Sequence, residues 1–164
     1  MIAFVGLGNI GDQYTNTKHN AGFWAVDEFA KRNKMVFEAG KGNYLFAQKK
    51  GNKVLLIKPT TMMNKSGNAV KEVMIQWSLL PSDIIIVLDD VDLPLGVIRI
   101  RPKGGDGCHR GLENIIYKMQ TNQFVRIRLG IAETLGQTRP SEKYVLKPFN
   151  KDSIEKVKIM VQQC

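Results

Sequence analysis

The sequence predicts a single α/β domain in three layers, a twisted mixed β-sheet flanked by helices, spanning residues 1–164. Three observations predict it. Strand-like and helix-like runs alternate along the chain. Ile84 to Leu88 is apolar at every position, as a central strand covered on both faces is. Tyr44–Gln48 and Val54–Ile57 are close enough in sequence to pair as a hairpin, which sets antiparallel neighbours beside the parallel pairs.

The first element is Ile2 to Val5, a short apolar run that stops at Gly6. The loop after it carries Asn9, Tyr14, His19 and Asn20, all close to one strand end. Ligands in open α/β sheets bind beyond the carboxyl ends of strands, so the position makes this loop a site candidate. Gly6-Leu7-Gly8-Asn9-Ile10-Gly11 also satisfies the G-x-G-x-x-G dinucleotide fingerprint. That motif requires a helix opening at its last glycine to hold a pyrophosphate. Asp12 to His19 has no helical period and reads as a polar loop. Glu38 in the role of ribose acid keeps a nucleotide reading open, and an ordinary glycine-rich turn is the plain alternative.

Asn20 is placed to cap a helix over Ala21–Arg32, with Phe23, Val26, Phe29 and Ala30 inward. Met35 to Phe37 reads as a short strand. The hairpin turns through Lys49-Lys50-Gly51-Asn52-Lys53, and Pro59 to Lys65 is loop. Ser66 caps a helix in which Val70, Val73, Met74 and Trp77 recur at helical spacing. Pro81-Ser82-Asp83 breaks the chain before the central strand, and Asp89-Asp90-Val91-Asp92 follows at that strand's carboxyl end.

Val97–Arg101 is a further strand, leading into a basic glycine-rich loop. Leu112, Ile115, Ile116 and Met119 mark a helix, and Phe124–Ile131 another strand. Ala132 to Ser141 reads as a polar, mobile connection. Lys151–Cys164 is an amphipathic helix with Ile154, Val157 and Val161 inward. It meets no stop signal, so it reads as truncated.

Composition narrows the function. The net charge is +9, with 24 Lys and Arg against 15 Asp and Glu, which favours a polyanionic partner, nucleic acid being the commonest. Arg99, Arg101, Lys103 and Arg110 fall close together among Gly104, Gly105 and Gly107. Such a loop offers a phosphate both cations and backbone N–H groups. No apolar run approaches the roughly 18 residues of a membrane span, and no signal peptide precedes the first strand. The two cysteines, Cys108 and Cys164, lack metal spacing, which predicts a reducing, cytoplasmic setting.

The chemistry follows from what is scarce. His19 and His109 are the two histidines, so a histidine base is one of them. Asp89, Asp90 and Asp92 offer an orienting carboxylate, and Asn9 and Asn64 are neutral amides in loops. Without a nucleophilic serine or cysteine among them, water is the natural nucleophile. Neutral imidazole takes its proton while the aspartate fixes the tautomer. Base assistance of about 10²–10⁴-fold, with an amide donor worth about 10²–10³-fold, suits an activated ester better than an amide. A Mg²⁺ site at Asp89–Asp92 is the alternative, and no second acidic cluster joins it.

Four separated motifs carry a resemblance: GLGNIGDQYTNTKHNAGF at 6–23, KPTTMMNKSG at 58–67, DDVDLPLGVIRIRPKGG at 89–105 and the helix start from His109 to Ile115. In order and spacing, to about Ile131, the chain resembles bacterial-type peptidyl-tRNA hydrolase. The last thirty residues match weakly. The resemblance implies metal-free and cofactor-free hydrolysis of the ester joining a peptide to the 3′-terminal ribose of tRNA. It further implies a monomer without an obligate protein partner or a membrane.

By the same resemblance, His19 is the general base, Asp89 orients it, and Asn9 positions water or the oxyanion. Asn64, after Met63, binds the peptide backbone, and Tyr14 walls the substrate site beside Met63. Arg101, Lys103 and Arg128 meet the tRNA acceptor end. Three positions depart from the family's usual pattern: Ile10 replaces a proline, and Cys108 and Arg110 interrupt a Gly-Gly-His-Asn-Gly stretch, Arg110 standing for its asparagine among the substrate-binding residues. Non-catalytic RNA-binding relatives that assist intron splicing are the alternative. Intact Asn9, His19, Asn64 and Asp89 favour the enzyme.

Overall fold

The computed structural model describes residues 1–49, 51 and 53–164. Seven strands form one sheet: β1 (Ile2–Gly6), β2 (Glu38–Ala39), β3 (Tyr44–Gln48), β4 (Val54–Pro59), β5 (Ile84–Pro94), β6 (Ile98–Arg101) and β7 (Val125–Ala132). Their spatial order is β2-β3-β4-β1-β5-β7-β6. β1 runs parallel to β4 and β5, and β5 parallel to β7, while β3 and β6 join antiparallel. The sheet is therefore mixed, as the alternation with one hairpin predicts. The predicted turn of that hairpin includes Lys50 and Asn52, which lie outside the described residues.

Side-chain alternation builds the three layers. Ile84, Ile86 and Leu88 of β5 pack with Val70 and Val73 of α2 (Ser66–Trp77) and Leu112 and Ile115 of α3 (Arg110–Met119). Val87 faces the other way, toward Ala21 and Ala25 of α1 (Ala21–Arg32) and Val157 and Met160 of α5 (Ile154–Gln163). A short α4 (Ser141–Tyr144) lies between β7 and α5. β5 needs apolar residues on both faces because helices cover both.

Several local expectations change. Met35–Phe37 is not a strand; the pairing falls on the two residues of β2. Ser66 is the first helical residue and not the cap; its hydroxyl donates to the carbonyl of Met63 at 2.7 Å. Ile154 is 40% exposed, and Met160 takes the buried place in α5. The run from Asp89 to Pro94 continues β5 instead of leaving it, with a register shift between Asp90 and Pro94. Periodicity misses this because ladder pairing with β7, unlike burial, tolerates polar side chains.

One packing feature positions the site. A Cβ on Gly6 would stand 2.3 Å from the carbonyl oxygen of Gly22, and a Cβ on Gly22 would stand 2.3 Å from that of Val87. The start of α1 thus lies directly on the end of β1 and on β5 at Val87, a contact only hydrogen side chains permit. The dinucleotide reading fails here. A 3-10 turn over Asp12–Tyr14 follows Gly11, and the helix starts only at Ala21. Glu38 is on β2 at the far edge, three strands from β1.

Candidate active site

The 3-10 turn Lys18–Asn20 at the head of α1 brings His19 against Asp89 in the middle of β5. Nδ1 of His19 lies 2.9 and 3.0 Å from the two carboxylate oxygens of Asp89. Nε2 of His109 lies 3.0 Å from Oδ1 of the same carboxylate. The imidazole centroids are 4.9 Å apart. Asp89, 2% exposed, is shared by two neighbouring histidines that the sequence separates by ninety positions.

Electrostatics follow from that shared carboxylate. Burial alone would raise the Asp89 carboxyl, but the charges and hydrogen bonds of His19 and His109 outweigh it and hold it well below the usual carboxylate range. For His19, burial works toward a lower pKa. The Asp89 charge and hydrogen bond overcome it, and the result is raised above the ordinary histidine value.

His109 caps α3, and its Nδ1 accepts the N–H of Leu112 at 3.2 Å. That nitrogen therefore carries no proton, so Nε2 of the neutral ring does, and donates to Asp89. The donor atoms of His19, Asp89 and His109 lie within 4.8 Å of one another, near enough to suggest a metal set. A metal-bound histidine keeps a proton on its other nitrogen to donate outward. The Leu112 N–H takes that option from His109, so the trio suits proton transfer better than metal binding. In the Asp89–Asp92 alternative the other two carboxylates are already engaged by arginines. Asp90 pairs with Arg128 at 3.2 Å and Asp92 with Arg139 at 3.1 Å.

Asn9 is positioned by a residue expected to do something else. Asn20 makes no capping bond to α1. Its Oδ1 accepts the N–H of Asn9 at 2.8 Å, and its Nδ2 donates to the Asn9 carbonyl at 2.9 Å. Oδ1 of Asn9 in turn accepts the N–H of Met63 at 2.7 Å. The amide nitrogen of Asn9 is left as a donor without a partner among the described residues.

These residues line a groove of about 350 Å³ with Tyr14, Met62, Met63, Asn64 and Arg110. Met63 packs its sulfur over Gly111, where a Cβ would stand only 2.5 Å away, close to the His109 ring. The opposite wall is Val145 and Leu146, with Ser141 and Glu142 at the rim. The stretch read as a polar connection thus leads into a wall of the groove, anchored by the Arg139–Asp92 pair. Arg110 is exposed, its guanidinium 3.9 Å from Glu142. Cys108 adopts a φ of +63°, left-handed backbone at a position where glycine is usual in the family it resembles.

Beside the groove, Arg99 and Arg101 of β6 stand opposite Arg128 and Arg126 of β7 in the ladder. Arg126 is fully buried and donates to the carbonyls of Gly104, Gly105, Asn122 and Phe124. Arg128 donates to Asp90 and to Gly105 at 3.1 Å. The glycine loop's carbonyls are taken from inside, and its N–H groups at Gly104, Gly105 and Gly107 make no bond among the described residues. Arg101 and Lys103 are exposed and form no ion pair there. Of the three predicted phosphate ligands, Arg128 is thus partly committed to bracing the loop.

Sequence reasoning placed Asn20 in the candidate loop but gave it the role of a helix cap, and it missed Arg126 and the second bond to Asp89. Spacing gives no sign of Arg126. His109 was visible as one of only two histidines.

Comparison with known proteins identifies the family. A family model described as peptidyl-tRNA hydrolase matches residues 3–164, so the match extends through the C-terminal stretch that motif comparison rates weak. The peptidyl-tRNA hydrolase of Alkaliphilus oremlandii is 43% identical over 156 residues, 94% of this chain and 83% of that protein. That of Geobacillus kaustophilus is 44% identical over 154 residues, 93% and 82% respectively. The crystal structure of peptidyl-tRNA hydrolase from Acinetobacter baumannii superposes with a TM-score of 0.83 at 32% identity, covering 99% of this chain and 89% of the other. The chain belongs to the peptidyl-tRNA hydrolase family.

Proposed function

We propose that the protein hydrolyses the ester between a peptide and the 3′-terminal ribose of tRNA, with His19 as general base. The observation that carries this is the shared carboxylate. With Nδ1–H of His19 donating to Asp89, the other ring nitrogen presents its lone pair and has no partner among the described residues. In the groove, Nε2 takes a proton from water as the water oxygen attacks the ester carbonyl carbon. The amide N–H of Asn9 stabilises the developing oxyanion, an effect of about 10²–10³-fold. The tetrahedral intermediate then expels the ribose oxygen, which receives the proton from the imidazolium. Asp89 stabilises that imidazolium throughout and stays ionised.

Tyr14, Met63 and Asn64 form the peptide side, with Asn64 as hydrogen-bonding partner for the peptide backbone and Arg110 at the mouth. Arg101 and Lys103, with the outward N–H groups of the glycine loop, take acceptor-end phosphates of tRNA. Arg128 adds charge from beneath. The reading is of one catalytic domain over residues 1–164, a monomer using no metal or cofactor and no obligate protein partner, acting in the cytoplasm. No helix among the described residues is long and apolar enough to cross a membrane.

The test is release of free tRNA from an N-acylated aminoacyl-tRNA in the presence of EDTA, with His19→Ala alongside. The expected result is turnover by the parent and a loss of several orders of magnitude in the variant. Binding without turnover would point instead to a non-catalytic RNA-binding role, and turnover abolished by EDTA would point to a metal.

A further inference from the structure

Lys18 precedes the proposed base, and its side chain leaves the groove on the other side. It is 2% exposed. Its ammonium lies 3.1 Å from the Glu133 carboxylate and donates to the Pro148 carbonyl at 2.8 Å. The Tyr144 ring lies 4.4 Å away and the Phe149 ring 5.1 Å. A buried ammonium is tolerated only when paired and hydrogen-bonded, so this set holds Lys18 in one place.

The backbone is tied to the same segment. The N–H of Lys18 donates to Lys147 at 3.0 Å, and the N–H of His19 donates to Val145 at 2.8 Å. Val145 and its neighbour Leu146 line the groove wall. Glu133, just past β7, also accepts the N–H of Asn150 at 2.8 Å. Burial would raise its carboxyl, but hydrogen bonds from Ser153, Asn150 and Lys18 and the Lys18 charge hold it below the ordinary value, so it stays ionised.

We propose that the Lys18–Glu133 ion pair is a positioning device for the reaction: it clamps the 133–150 segment onto the 3-10 turn and so fixes the approach of His19 to Asp89. The inference rests on the reading of His19 as base. Its physical content is that a buried charge, not packing alone, sets the placement of the imidazole. Displacements near 1 Å at a reacting group cost on the order of 10²-fold in rate.

The test uses Lys18→Met, which keeps an apolar stem and removes the charge, and Lys18→Arg, which keeps it. Both kcat and KM are measured on N-acetylated aminoacyl-tRNA, and the His19 imidazole pKa by NMR titration. Lys18→Met is expected to lose about 10- to 100-fold in kcat with KM little changed, and its His19 pKa should fall toward the ordinary value. Lys18→Arg should recover most of both. Lys58→Met serves as control. It breaks another partly buried pair, Lys58 with Asp27 at 2.6 Å, away from the groove, and should leave kcat and the His19 pKa unchanged.

A folded Lys18→Met protein with parental kcat and His19 pKa would overturn the proposal, as would equal losses in Lys58→Met. Should Lys18→Met fail to fold, Glu133→Gln, nearly isosteric, takes its place: the same losses support the clamp, and parental kcat and His19 pKa overturn it. His19→Ala separates the two levels. Full activity there sinks the base itself, whereas an inactive His19→Ala beside a fully active Lys18→Met sinks only the clamp.

Discussion

The backbone N–H of Leu112 donates to Nδ1 of His109, and this bond fixes the tautomer of a ring that donates to Asp89. It places the His109 proton on Nε2, facing the carboxylate. Asp89 therefore receives a hydrogen bond from each histidine, which fixes its orientation.

Asp89→Asn tests that arrangement. On sequence alone the substitution merely disorders a tautomer and costs less than loss of the histidine. The second histidine makes it decisive. His109 needs an acceptor, so the amide oxygen turns to it and the NH₂ faces His19. Nδ1 of His19 must then accept, its proton moves to Nε2, and the base is gone. The expected loss in kcat is about 10⁴-fold, that of a wrong-tautomer variant. Asp89→Asn with His109→Ala frees the amide to flip and should recover at least part of the rate. A double variant no faster than the single one would contradict this tautomer assignment.

The pH dependence has two opposed parts. Because the His19 pKa is raised, kcat/KM should fall on the acid side through a value above about 6.5. For stability the signs reverse. The contribution of protonated His19 is fully present below its unfolded value and is lost as pH rises through the folded one. Asp89, lowered, contributes above about 3.9 and loses that contribution as pH falls toward its folded value. Thermal melting should therefore show this contribution greatest between those limits, while activity still climbs beyond them. An acid limb below the ordinary histidine value would show that Asp89 does not hold His19 in this way.

Asn9→Asp preserves the acceptor for the Met63 N–H and removes only the donor, replacing it with negative charge. Turnover should drop by about 10²–10³-fold, and more if the charge opposes the oxyanion directly. Affinity for tRNA should stay near the parental value. An equal drop in affinity would assign Asn9 to binding instead.

Salt separates the phosphate contacts from the chemistry. Each phosphate neutralised by Arg101 or Lys103 should contribute about 0.7–0.9 to the slope of log affinity against log salt. Arg101→Ala with Lys103→Ala should lower that slope by nearly two such steps for tRNA. A short N-acylaminoacyl-nucleotide should show a nearly flat dependence in both proteins. Equal slopes for the two substrates would remove the basic loop from tRNA binding.

Arg110 is the departure with the most exposed consequence. Its contact with Glu142 is long and solvent-accessible, so it holds little stability, and Arg110→Asn should leave the melting temperature nearly unchanged. If the guanidinium exchanges Glu142 for a phosphate, the variant binds tRNA more weakly with a slope reduced by about one phosphate. Faster turnover on a small fragment with an unchanged slope would mean instead that the arginine only crowds the water.

Periodicity and composition were enough for the α/β class, the mixed sheet, most helices and the basic loop. These depend on which residues prefer burial and on the pitch at which they recur, both local properties of the chain. The motif at 6–23 and the carboxylate that closes the apolar half of β5 marked His19, Asn9 and Asp89 as candidates because the point where an apolar run turns polar is legible, although β5 itself continues to Pro94. What pairs with what was not. Asn20, suited by sequence to cap a helix, instead mimics backbone for Asn9 across eleven residues. Arg126 and Lys18 look like surface cations, yet each is buried: carbonyls of its own strand's approach and of the glycine loop converge on Arg126, and a carbonyl and a carboxylate from the far end of the chain converge on Lys18. A charge is buried only where folding brings its partners, and no local pattern records partners more than a hundred residues away. Local propensity therefore determined the frame of this protein, while tertiary packing alone decided which charges it encloses and where the protons beside Asp89 sit.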